Sequence, residues 1–221
     1  MTSRATQRSF GLRPVLLGAA AAALLGGCAL GPRPTLTDER LVDDEAVEAV
    51  LDRLDKADDV TFTATYTVQP ALADSTPAEV TVRATPERAR VTFAVGGDVV
   101  VEYSDTEGEQ RTCAAGLTEC VAGFDQTRIS NLAVTHAFWG TSAVDKLRAD
   151  ADRIQADATS EGPPQNVALP DLPFVCAHVP TGSSEVVYCA LDAGPLAYYL
   201  GADVTITLTD FEATVDPAAF G

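Results

Sequence analysis

Apolar and polar residues alternate with period two through most of the chain, and the stretches where that period breaks mark its helices. The clearest alternation covers residues 60–68, where Phe62, Ala64, Tyr66 and Val68 point one way and Thr61, Thr63, Thr65 and Thr67 the other. Alternation built from β-branched and aromatic residues predicts a half-buried strand. The pattern resumes with Val80, Val82 and Ala84 after a Pro-containing turn at 70–77, and again with Ala89, Val91, Phe93 and Val95 after Pro86. Gly96-Gly97-Asp98 then predicts a hairpin turn into Val99, Val101 and Tyr103, and a turn at 105–108 leads to a strand at 110–114. Near the C-terminus, strands are predicted at 174–179, 186–191, 196–200 and 204–209, each bounded by Gly, Pro, Asp or Ser.

Two segments switch to helical spacing. Over 42–57, Val47, Val50, Leu51 and Leu54 form one apolar stripe, with Asp43, Asp44 and Glu45 placed in the first turn to complement the helix dipole. Thr141 or Ser142 can cap a second helix running to about residue 156, with Val144, Leu147, Ala151 and Ile154 as its buried stripe. Before it, 124–139 is apolar-rich without a clean period and reads as helical, and 159–170 is a Pro-rich loop. Short links between neighbouring strands call for antiparallel pairing. The expectation is therefore an α+β domain over 42–221, with a curved, incompletely closed antiparallel sheet of about nine strands and helices on its concave face.

The first 27 residues stand apart. Arg4, Arg8 and Arg13 precede an 11-residue run of Val, Leu, Ala and Gly at 15–25, with no acidic residue before Cys28. Such a run is too short to span a bilayer, which takes about 20 apolar residues, and suits the core of an export signal. Leu25-Gly26-Gly27-Cys28 resembles the lipobox of bacterial lipoproteins. That resemblance implies cleavage before Cys28, a diacylglycerol on its sulfur, and an anchor on the extracytoplasmic face of the cell membrane. Residues 28–41, with Gly31, Pro32 and Pro34, then form a short lipidated tether.

Export changes the reading of the other cysteines. Cys113, Cys120, Cys176 and Cys189 are even in number, and four cysteines allow three pairings. Cys176 and Cys189 are symmetric about the Gly182–Ser183 centre of a turn, so a hairpin there sets them opposite each other, leaving Cys113 with Cys120. A zinc site is the rival, but C-x-x-C spacing is missing.

Charge and candidate chemistry narrow the function. The chain carries a net charge of −17, and losing the three arginines of the signal takes it to −20. Nucleic acid is not an expected partner for such a surface. Thirteen arginines against two lysines, Lys56 and Lys146, suggest a GC-rich genome. No G-x-S-x-G, S-x-x-K, H-E-x-x-H or phosphate-binding glycine loop occurs, and His136 and His178 are the only histidines. Both read as structural, so the expectation is a non-enzyme with no cofactor and no metal.

The order of elements, a lipobox, a short tether, an amphipathic helix and a Phe-x-Ala-x-Tyr strand opening a meander, is similar to the lipoprotein-carrier half-barrel superfamily (LolA/LolB-like) over about residues 42–220. Residues 187–196, carrying Tyr188, Cys189, Asp192, Gly194 and Leu196, also resemble the hairpin of disulfide-containing actinobacterial lipoproteins. The half-barrel resemblance implies a lipid-anchored protein that binds or carries a lipid or other hydrophobic ligand. Phe62, Tyr66, Val82, Val91, Phe93 and Val101 would line its cavity, and Phe138-Trp139, with Leu132 and Val134, would gate it. The alternative is an envelope interaction or sensor module without a small-molecule pocket, working through loops such as 70–77 and 162–170.

Overall fold

The computed structural model describes residues 44–71, 76–114, 116, 119–125, 127, 141–153, 157–165, 167–182 and 184–220. The chain divides into 1–39 and 40–221, and every described residue belongs to the second unit. Cys28 with its signal and tether, Leu132, Val134, His136, Phe138, Trp139 and Ile154 therefore lie outside the described residues.

Helix α1 spans Glu45–Leu54 and buries Val47, Val50, Leu51 and Leu54, the stripe its spacing predicts. Its acidic start works differently from the expectation. Asp44 is extended and caps the helix, accepting from the amides of Ala46 and Val47 at 3.0 and 3.2 Å. Its other oxygen accepts from the Ala158 amide at 2.7 Å, so the same carboxylate ties the Pro-rich loop to the helix. A short 3-10 turn, Ala57–Asp59, then leads into the sheet.

Ten strands follow among the described residues, in two antiparallel meanders: β1 (Phe62–Pro70), β2 (Ala78–Thr85), β3 (Arg88–Val95), β4 (Asp98–Thr106), β5 (Glu109–Ala114) and β6 (Cys120–Ala122), then β7 (Phe174–Thr181), β8 (Ser184–Leu191), β9 (Leu196–Leu200) and β10 (Val204–Glu212). The first and last meanders join where β1 pairs with β10, giving one open sheet in the order β6-β5-β4-β3-β2-β1-β10-β9-β8-β7. The fold is thus α+β with a curved antiparallel sheet that does not close. The strand beyond the nine expected is β6, three exposed residues that carry no period of their own.

Both disulfides form across directly paired positions, Cys113 with Cys120 on β5–β6 and Cys176 with Cys189 on β7–β8. With all four thiols consumed, the zinc alternative falls.

Strands β1, β2 and β10 bury one face, whereas β8 and β9 are buried on both. Helix α2 (Thr141–Ala151) is shorter than predicted, and buries Val144, Leu147 and Ala151. Helix α1 packs on β7, β8 and α2. The loop 157–172 brings partly buried Val167, Leu169 and Leu172 to the core and pairs Thr159 with His178 at the β7 edge. That pairing occupies edge hydrogen-bonding groups that would otherwise be open to a second chain.

Candidate functional site

Strand register sorts the inner face of the first meander into transverse rows. Leu208, Tyr66, Val80, Phe93 and Val101 lie side by side across five strands. Ala64, Val82, Val91, Tyr103 and Thr112 form the next row, and Phe62, Ala84 and Ala89 a third. The six sequence-predicted cavity residues, Phe62, Tyr66, Val82, Val91, Phe93 and Val101, all fall in these rows and are all buried. The structure brings them together in one buried apolar layer, and none of the six is among the residues that line the groove beside it.

The third row ends in small side chains, and there the surface opens. A groove of about 460 Å³ lies between the 3-10 turn at Ala57 and Asp58 and the strands carrying Ala84, Ala89 and Tyr103. Its rim is polar, with Asp58, Glu87, Arg88, Asp105 and Glu107. Tyr103 packs edge-on against Phe124 with ring centroids 5.7 Å apart, and its hydroxyl donates to Asp105 at 3.4 Å. Asp105 also accepts from the Gly108 amide and the Gln110 side chain, both at 3.0 Å, which holds the β4–β5 turn at the rim in shape. Glu107 and Gly108 form that turn with φ of 54° and 85°, the left-handed geometry that a tight two-residue hairpin demands. Neither groove nor rim was legible in the sequence, because it depends on Ala84 standing opposite Ala89 in register.

The polar groups inside the domain divide into satisfied and unsatisfied ones. Asp150 on α2 accepts from the Tyr188 hydroxyl at 2.6 Å and from Lys146 at 3.4 Å, and the Lys146 ammonium sits 5.6 Å from the centre of the Tyr199 ring. Tyr188 and Tyr199 pack at 5.0 Å, so this cluster fastens α2 to β8 and β9. The Tyr199 hydroxyl occupies the space a side chain would need at Gly201, which only glycine leaves free. His178 is buried between the Glu185 carboxylate (2.8 Å from Nδ1) and the Gly162 carbonyl (3.0 Å from Nε2), a structural histidine clamping the loop to the sheet. Tyr66 is the contrast: its buried hydroxyl has no hydrogen-bond partner among the described residues.

No family model matches the sequence, and no curated protein matches it. A solved structure does: the crystal structure of MucB is similar with a TM-score of 0.51 at 13% identity. The match covers 80% of this chain and 64% of MucB, so the chain spans less than two thirds of that protein's length. At this identity the likeness speaks to architecture, and it agrees with the open curved sheet and its helices. The chain shares the fold of MucB.

Proposed function

We propose that the protein is a membrane-anchored extracytoplasmic module whose inner sheet face holds an apolar, acyl-bearing ligand, admitted through the groove above Ala84 and Ala89. One observation carries the reading: the row of Phe62, Ala84 and Ala89, with Tyr103 of the row beside it, reaches an opening of about 460 Å³ with a polar rim. Small-molecule sites have this character, mostly apolar walls, a few polar groups at the mouth, and volumes of roughly 300–1,000 Å³. The half-barrel architecture supports it. An environment-sensitive acyl probe should bind the wild-type protein and bind Ala89→Trp about tenfold more weakly, since an indole at that position fills the mouth. Unchanged affinity in a folded Ala89→Trp variant would remove the groove from the account.

The anchor belongs to the same reading. A diacylglycerol on Cys28 buries enough methylene groups, at about 0.8 kcal/mol each, to hold the protein stably. The tether that follows keeps the domain at the membrane face, where acyl ligands reside. Cells fed an alkyne-bearing palmitate should label the wild-type protein and not Cys28→Ser. Label retained in that variant, or missing from the wild type, would contradict the anchor.

A second reading, an interaction or sensor module, is favoured by Val99 and Val100. These valines are 43% and 37% exposed on β4 beside the Gly96-Gly97 turn. In that case the contact with a partner protein is made at this hairpin tip.

A further inference from the structure

Tyr66 sits in the middle of β1, with Leu208 and Val80 as its neighbours in register on either side. It is 3% exposed, and its row continues through Phe93 and Val101, neither of which offers a polar side-chain atom. Its hydroxyl is the one buried side-chain polar atom among the described residues without a hydrogen-bond partner. Leaving a hydroxyl unpaired in apolar surroundings costs free energy that folding does not recover. Phenylalanine would fill the same space without that cost.

Two further observations make the position special. Tyr103 and Tyr188, elsewhere in the same core, each spend their hydroxyl on a carboxylate. The register of β1 against β10 also shifts between Thr65 and Tyr66. Irregularities of this kind re-aim side chains and gather beside binding sites.

We infer that the Tyr66 hydroxyl donates a hydrogen bond to a carbonyl oxygen of the ligand, an ester or carboxyl group at the head of an acyl chain. This inference rests on the reading of the inner face as a ligand surface. Burial pushes the Tyr66 phenol well above its ordinary value, so the group keeps its proton and remains a donor. A ligand without the carbonyl leaves that donor unpaired, which is how a buried polar group discriminates between chains of equal length.

A matched pair of ligands tests this: 1-monolauroylglycerol, which has the ester carbonyl, and 1-O-dodecylglycerol, which has the same chain length and no carbonyl. Binding of each is measured to the full chain held in amphipol, as wild type and as Tyr66→Phe. The wild type should prefer the ester by about tenfold, the net worth of one neutral hydrogen bond, and Tyr66→Phe should bind both with the affinity of the ether. Without ligand, Tyr66→Phe should melt at the wild-type temperature or higher. Equal preference in the two proteins, or no preference in the wild type, overturns the role of Tyr66 and leaves the ligand face standing. Failure of both ligands to bind the wild type overturns the face and the inference together. A melting temperature several degrees lower in Tyr66→Phe shows that the hydroxyl has a structural partner, and also overturns the inference.

Discussion

Replacing Cys176 and Cys189 together by alanine should lower the unfolding free energy by about 3 kcal/mol, read as an earlier midpoint in urea. The two cysteines are 13 residues apart and close the β7–β8 hairpin, so the bond removes chain entropy from the unfolded state. Both are buried, in strands that carry α1 on one side of the junction and pair with β9 on the other. Losing the bond also loosens the turn that places Glu185 against His178. The Cys113–Cys120 pair, seven residues apart, should cost less, about 2.5 kcal/mol, because it closes a smaller loop and secures only the short edge strand β6. A C176A/C189A variant as stable as the wild type would show that packing alone sets the hairpin.

Raising the pH above 10 should unfold the protein steeply, with the tyrosines as the main cause. All five tyrosine phenols, at 66, 103, 188, 198 and 199, lie above their ordinary value of about 10 in the folded chain. Burial is the main reason at each. The Asp105 charge adds to it at Tyr103 and the hydrogen bond to Asp150 at Tyr188, while Lys146 pulls Tyr199 part of the way back. The sign follows from proton counting. Above pH 10 the unfolded chain releases protons that the folded chain keeps, so stability is complete below that pH and falls as pH rises toward the folded values. The slope is up to about 1.4 kcal/mol per tyrosine per pH unit. Absorbance at the tyrosinate band, followed against far-UV circular dichroism, should show ionisation and unfolding in one transition. Tyrosines that ionise near pH 10 with the fold intact would mean that the core admits water.

Much of this architecture is visible in the residue pattern, for reasons that also explain the rest. Strand β1 reads plainly because one face is buried and the other is threonine, so Phe62, Ala64, Tyr66 and Val68 announce their side. The Cys176–Cys189 hairpin reads from the symmetry of its turn. Strands β8 and β9 bury both faces, so the alternation that marks a face disappears and nothing in the sequence says what covers each side. Val99 shares the alternation of Val101 and Tyr103 yet is exposed. The register shift between Phe93 and Ala94 sets Val101 against Phe93 and Val99 against Ala94, near the hairpin tip. The bond from the Ala158 amide to Asp44 and the clamp of Asp150 on Tyr188 join partners 114 and 38 residues apart, which no local pattern encodes. The same is true of the candidate site. Its apolar residues were legible one by one, whereas the groove and the lone hydroxyl of Tyr66 come from what stands opposite them.

Native mass spectrometry of the full chain, drawn gently from the membrane fraction of cells that express it, tests the proposed acyl-bearing ligand of the inner face most directly. A non-covalent mass is expected, separate from any covalent lipid proposed on Cys28, that leaves on collisional activation and is displaced by added 1-monolauroylglycerol. A spectrum holding only the chain and its covalent modifications, from a protein that also fails to take up the added ligand, would contradict the ligand reading.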